Sequence, residues 1–340
     1  MNEFISCIDD LAEFFGDAYL LSYGRRDHLR RDHLLPQDVA QIINDAKFIR
    51  SVRDLQGFNK VAKAIRASLG KTDRATLGEW FQLKLAKALK DIGEVPVLEE
   101  VIDNNPKDIL IREGRIHIEC KTFCYPTVCH AIHLEYDKVF KRLREALPDG
   151  DWIVFFKGEY VTDYFAPIIL APKDSIQNYD LFEVYKDDSP SFKLLDVESV
   201  IKSGIPQIQF YGRQYLDGEK LVPMANFCIP GLLNVRLIGP DINFVNTFLN
   251  PLHDKYKQMI DDAYNVLALD VSHIVGDFDV LRNELLKALL NSPYDKLHGI
   301  LLGTTDGDGF RRQQMTYKPH DSLSLIATSI FENLPKVIPV

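Results

Sequence analysis

The stretch from Asn105 to Lys121 restricts the fold of this chain more than any other. Two β-rich runs flank Glu113-Gly114, and a turn signal so placed predicts a hairpin. Side chains alternate between the two faces of a strand. On the second strand Ile116, Ile118 and Cys120 therefore share one face, and Arg115, His117, Glu119 and Lys121 share the other. A two-residue loop at Glu113-Gly114 pairs Arg112 with Arg115, Ile111 with Ile116, Ile109 with Ile118 and Asp108 with Glu119. In that register the isoleucines of both strands face one way, and a slip of one residue would separate them. Glutamate is not a favoured first residue of a tight turn, so the sequence leaves the turn type open.

The register has a chemical consequence. Directly opposed residues hold their Cβ atoms roughly 5 Å apart, and like charges there are destabilising. Asp108 and Glu119 repel each other unless a proton or a cation lies between them. Mg²⁺ is a hard cation commonly held by one or two carboxylates, with phosphate and water completing its shell. Lys121 follows Glu119 on the same face, about 6.6 Å along the strand. Two carboxylates and an ammonium at one end of a hairpin suit phosphodiester hydrolysis, with the lysine positioning or deprotonating the attacking water. The plain alternative is a surface hairpin carrying an ion pair.

Pro106-x-Asp108 followed by Glu119-x-Lys121 resembles the motif of the PD-(D/E)XK nuclease superfamily, the restriction-endonuclease-like fold. The resemblance covers about residues 76 to 157, where helix, strand, Asp-bearing strand, Glu-x-Lys strand, helix and strand follow in order. Lys107 separates Pro106 from Asp108, a small departure from the motif. The resemblance implies an α/β protein (an α+β mixed sheet) with a restriction-endonuclease-like core. It implies Mg²⁺ as cofactor, with Mn²⁺ as a substitute, and DNA as substrate. Asp108 and Glu119 would hold the metal, Cys120 would offer its backbone carbonyl, and Lys121 would act on water. The family adds a glutamate from the preceding helix, and Glu79 in Leu77-Gly78-Glu79-Trp80-Phe81 matches it. Thr76-x-x-Glu79 also reads as a capping box.

Around this core the chain divides into a helical N-terminal region (1–72), the core (73–157), a β-rich insertion or recognition region (158–251) and a C-terminal α/β region (252–340) packed on or completing the core. Ile5, Ile8, Leu11 and Phe15 recur at helical spacing. A helix over 76–92 carries the stripe Phe81, Leu85, Ala88, Leu89 and Ile92. A second helix over 132–147 leads to the strand Trp152-Ile153-Val154-Phe155-Phe156, a right-handed βαβ step. A helix from His253 to Tyr264 precedes Val266-Leu267-Ala268-Leu269-Asp270-Val271, a strand apolar enough for burial on both faces. Asp270 approaches the site only if that strand joins the catalytic sheet. Arg30, Arg31, Lys138, Arg142 and Arg144 are candidate phosphate contacts, although charge runs also form solvated faces. Cys124, Cys129, His130 and His133 match no common zinc spacing. Thr304 to Gly309 lacks the length and closing glutamate of a calcium loop.

Composition narrows the class. The 340 residues are 46% hydrophobic and 26% charged, as in globular proteins. No run approaches ~20 apolar residues. Met1-Asn2-Glu3-Phe4 shows neither a basic n-region nor an apolar h-region. Five irregularly spaced cysteines do not form a disulfide framework, so a cytoplasmic location is expected. A net charge of −9 argues against a chain coated in basic charge, but a local basic groove remains compatible with it. The leading expectation is a metal-dependent endonuclease acting on DNA, a restriction or defence enzyme, with a homodimer compatible with that role. The alternatives are a catalytically silent nucleic-acid-binding or assembly module, and an RNA nuclease.

Overall fold

The computed structural model describes residues 2–16, 36–68, 77–102, 104–122, 145–147, 150–156, 182–186, 209–229, 233–238, 242–246, 252, 255–272, 274–291, 293–306, 309–318 and 322–337. In chain order the elements are α1 (Asn2–Phe15), α2 (Pro36–Val52), α3 (Phe58–Ser68), α4 (Leu77–Asp91), β1 (Val97–Ile102), β2 (Asn105–Ile111) and β3 (Ile116–Thr122). There follow β4 (Gly150–Phe156), β5 (Phe182–Lys186), β6 (Gln209–Asp217), β7 (Lys220–Ile229), β8 (Leu233–Ile238) and β9 (Ile242–Asn243). The last are β10 (Tyr264–Asp270), β11 (Ile274–Gly276), α5 (Phe278–Asn291), β12 (Leu297–Asp306), β13 (Gly309–Tyr317) and α6 (Ser322–Glu332). The fold is α/β with mixed sheets. Two compact units result, one of residues 1–124, 248–272 and 278–340, the other of 125–247 and 273–277.

The first unit is built on a six-stranded sheet ordered β1-β2-β3-β10-β12-β13. β1, β2 and β3 form an antiparallel meander, β10 lies parallel to both β3 and β12, and β13 is antiparallel to β12. Ile111 pairs with Ile116 and Ile109 with Ile118, the register that the isoleucines demand. The turn closes through Arg115 N–H donating to the Arg112 carbonyl at 3.1 Å. Glu113 and Gly114 have φ of 58° and 81°, both positive as a type I′ turn requires. The glutamate accepts that conformation because the hairpin's twist selects it.

One face of this sheet carries the core. Ile109, Ile111, Ile116, Ile118, Val266, Ala268 and Leu301 pack with Phe81, Leu85 and Leu89 of α4 and with buried residues of α1, α2, α3 and α6. In α1 the buried stripe is Cys7, Leu11 and Phe15, while Ile5 is 51% exposed. The N-terminal helices thus share the core of the hairpin sheet and do not form a region of their own. Gly57 is one joint between them. Its φ is +87°, and a Cβ there would lie 1.8 Å from the Leu98 carbonyl oxygen on β1.

The strand beside β3 is not the expected one. Strand 150–156 pairs with β5 and β8 in the second unit, whose sheet is ordered β11-β6-β7-β8-β4-β5, with β9 on β7. The sheet that holds β3 is completed by β10, β12 and β13 of the C-terminal region, while strand 150–156 of the expected core (73–157) lies in the other sheet. The interior slot needs a strand buried on both faces, and all seven residues of β10 are buried. It also needs a polar partner for His117, which Asn265 supplies. Of the expected short β runs, those at 208–211, 224–227 and 235–238 fall within or overlap β6, β7 and β8. The runs at 168–170 and 192–195 lie outside the described residues, as does nearly all of the expected helix 132–147.

The expected helix 253–264 is also shortened. Leu252, Lys255 and Tyr256 are helical, and residues 257–258 turn the chain out of the helix with i→i+3 bonds, Gln258 N–H to the Lys255 carbonyl and Met259 N–H to the Tyr256 carbonyl. Side chains then take the backbone groups that a longer helix would use. Asn265 binds both the N–H and the carbonyl of Ile260, and Lys107 Nζ donates to the Gln258 carbonyl.

Candidate functional site

Asp108 and Glu119 converge at the edge of the hairpin, just beyond the rung that pairs Ile109 with Ile118. The cation that their repulsion demands is present, and it comes from 136 residues beyond Glu119. Lys255 Nζ lies 2.9 Å from Asp108 Oδ2 and 2.8 Å from Glu119 Oε2. The Asp108 side chain is 19% exposed and that of Glu119 only 1%. Asp108 Oδ2 also accepts the Cys120 N–H at 2.7 Å. That bond stands where a ladder bond would, and it fixes the aspartate against the second strand. A strand residue directs its N–H and C=O to the same side, so the Cys120 carbonyl faces the Asp108 edge too.

Glu119 is held from behind. His117 Nε2 is 2.7 Å from Glu119 Oε1, and His117 Nδ1 is 2.8 Å from Asn265 Oδ1. All three residues are fully buried. The Asn265 amide is oriented by three acceptors. Its Nδ2 donates to the carbonyls of Ile260, Ala263 and Lys296 at 2.8, 3.1 and 3.0 Å.

Electrostatics separates the two carboxylates. Burial, and then the charge of Glu119, push Asp108 up to about 7. Burial would raise Glu119 as well, but the His117 hydrogen bond and the Lys255 ammonium outweigh it and hold Glu119 below the ordinary glutamate range. For Lys255, burial is outweighed by the two carboxylates, which raise it above the ordinary lysine value. It sits between them as a firm ammonium.

The other expected site residues fall elsewhere. Lys121 is exposed and makes no ion pair among the described residues. Glu79 is half-buried on α4. Burial raises its pKa, and the carboxylate acting on it is Glu99. Glu99 Oε1 accepts from Gln82 Nε2 at 2.9 Å, and that nitrogen also donates to the Asp108 backbone carbonyl at 2.6 Å. Glu79 thus stands behind the backbone of β2, one step from the carboxylate pair. Thr76 lies outside the described residues. Asp270 does lie in the completed sheet, but it accepts from the Ser272 N–H and hydroxyl and serves the turn after β10. Arg30, Arg31, Lys138, Arg142 and Arg144 lie outside the described residues, as do Cys124, Cys129, His130 and His133. Near the N-terminus Arg50 is committed to Asp10 at 2.5 Å.

The donor set can be matched to a metal. Among the described residues no group of three or more His, Cys, Asp and Glu could enclose one. Two carboxylate oxygens already share a cation, and a pair of hard oxygens suits Mg²⁺ completed by phosphate and water. It does not suit a closed zinc centre.

Sequence reasoning missed Lys255, His117, Asn265 and Glu99. A signal existed for two of them. Asn265 interrupts an apolar strand, and His117 shares the face of Glu119. Comparison with family models, curated proteins and solved structures finds no match. The functional reading therefore rests on the site itself.

Proposed function

We propose that this protein is a Mg²⁺-dependent endonuclease that hydrolyses phosphodiester bonds in DNA. The observation that carries the reading is the convergence of Asp108 and Glu119 on one cation at the edge of a mixed sheet. Helix α4 and the three-stranded meander β1–β3 precede the site in the order that the resemblance implies, and β10 lies beside β3 in place of the expected strand. Asp108 and Glu119 would hold Mg²⁺, with Mn²⁺ as a substitute and the Cys120 carbonyl on the same edge. A divalent ion there polarises the phosphate and acidifies water. Asp108 is the carboxylate open to solvent, and Glu119 is the one fixed in place. Lys255 takes the role expected of Lys121. Its raised pKa makes it a hydrogen-bond donor and not a base, so it orients the attacking water or meets charge on the phosphate. Lys121, exposed at the end of β3, would contact the nucleic-acid backbone.

One observation favours a second reading. Lys255 already neutralises the carboxylate pair, as in a catalytically silent nuclease-like binding or assembly module. Cleavage of plasmid DNA and of RNA, with and without Mg²⁺, separates the two. Metal-dependent nicking lost in Asp108→Asn supports the enzyme. Wild-type protein that binds nucleic acid but cleaves none of it would favour the module.

A further inference from the structure

Glu119 is the most deeply buried member of the site, and its two oxygens are treated differently. Oε2 meets the Lys255 ammonium, and Oε1 meets only the His117 ring. What the ring offers is fixed by Asn265. If the Asn265 amide were turned over, its oxygen would face three carbonyls, and its NH₂ would face the Ile260 N–H that Oδ1 now accepts at 3.0 Å. Oδ1 therefore points at His117, and His117 Nδ1 must donate. The Nε2 to Oε1 contact of 2.7 Å then needs a proton of its own, because a bare nitrogen lone pair against a buried carboxylate would be repulsive. His117 Nδ1 thus donates to the amide, and a hydrogen bond joins Nε2 to the carboxylate.

We infer that His117, locked by Asn265, is a positioning residue that ties down Glu119 Oε1 and leaves Oε2 as its single cation-facing oxygen. The inference rests on the endonuclease reading for its consequence, which is metal binding. Carboxylates that bind metals are themselves oriented by hydrogen bonds, and loss of such a partner typically weakens metal affinity or activity by 10–100-fold. The strand pairing explains why the device is built this way. Asn265 stands opposite His117 in the parallel register, and Leu267 stands opposite Glu119. The neighbouring strand thus gives the histidine a polar partner and gives the glutamate none, so Glu119 depends on the ring.

The test compares wild type, His117→Leu and His117→Gln. The readouts are Mn²⁺ affinity by calorimetry, the Mg²⁺ concentration for half-maximal DNA cleavage, and KM for DNA. His117→Leu should weaken Mn²⁺ binding and raise the Mg²⁺ requirement by about 10-fold or more while leaving KM for DNA at saturating Mg²⁺ nearly unchanged. His117→Gln, whose amide can donate to Oε1, should recover part of that loss. A His117→Leu protein with a lower Tm but wild-type metal affinity would overturn the inference, since a merely structural histidine behaves so. If the leucine variant does not fold, wild type still decides. Nitrogen-15 correlation spectra should show a slowly exchanging proton on His117 Nδ1, held by Asn265, and a ring whose Nδ1 carries no such proton overturns the inference. Wild type that cleaves nothing yet passes the spectroscopic and Mn²⁺ tests would sink the endonuclease reading and leave the positioning role standing.

Discussion

Replacing Lys255 by methionine keeps the aliphatic stem and removes the ammonium, leaving Asp108 and Glu119 facing each other without a cation. Removing one partner of a buried ion pair costs about 3–5 kcal/mol. The lysine and aspartate side chains keep 20% and 19% of their exposure, so the lower end applies. A loss of about 3 kcal/mol in a domain of this size lowers Tm by about 6–12 °C. The loss should be largest above pH 7, where Asp108 is ionised in the folded protein, and smaller near pH 5, where it holds its proton. Divalent metal should then reverse the effect. At 100 times its Kd a ligand adds about 2.7 kcal/mol, nearly the whole loss. Wild type should gain less, because its metal must first displace the ammonium. Thermal denaturation at pH 8, in chelator and in a Mg²⁺ or Mn²⁺ series, measures all of this. Cleavage by Lys255→Met should fall by ~10²–10⁴-fold even at saturating metal, the range for a positioned group that moves or holds a proton. An unchanged Tm in chelator, or equal metal stabilisation of both proteins, would refute the bridging role.

Lys121→Ala should keep the cleavage rate at saturating DNA and reduce affinity and its salt dependence. Loss of turnover with normal binding, measured in single-turnover assays, would return the catalytic role to Lys121. Asp108 has a raised pKa in the fold, so the stability it contributes is complete below about pH 4 and is lost as pH rises through about 7. Asp108→Asn should therefore gain stability over metal-free wild type between pH 4 and 7, then hold a constant advantage, while losing metal binding and cleavage; urea titrations across pH check the sign. Gly57→Ala forces a side chain onto a +87° φ and into the Leu98 carbonyl. It should cost about 3 kcal/mol or prevent folding, at the upper end for a single substitution, and a wild-type Tm would show that the joint is not tight.

The parts of this molecule that were legible in sequence are those fixed by a local period. The isoleucine alternation in 109–118 allowed one register, and the apolar run at 266–271 announced a strand buried on both faces. Asp108 and Glu119 followed from that register, with the expectation that a proton or a cation lies between them. The cation's identity could not follow, because it is set by tertiary position. Lys255 lies in a segment whose spacing suggested a continuous helix, and the side chains that end that helix, Lys107 and Asn265, act from other strands. Chain order was equally silent about β4. A strand soon after a helix is expected to return beside its predecessor, yet here the second unit is inserted between β3 and its parallel neighbour β10. Glu79 was drawn to the site by its place on the preceding helix. Glu99, with a φ of 50°, is the carboxylate that acts on it instead.

Charge balance ties the metal to the lysine. Two carboxylates face the Lys255 ammonium and the proton shared by His117 and Glu119, so the buried cluster is close to neutral. A divalent ion entering it must replace a positive charge, because adding two charges to a site this dry is costly. His117 is fully buried and held by Asn265, whereas the Lys255 side chain keeps 20% exposure. On metal binding the ammonium would therefore be the charge that moves. Its backbone does not move with it, since Lys107 holds the Gln258 carbonyl and Asn265 holds both polar groups of Ile260. A lysine displaced by rotation of its side chain alone stays within a few ångströms of the oxygens it left. In the proposed reaction that keeps it beside the phosphate, so one residue neutralises the empty pair and then serves as the donor when the pair is filled.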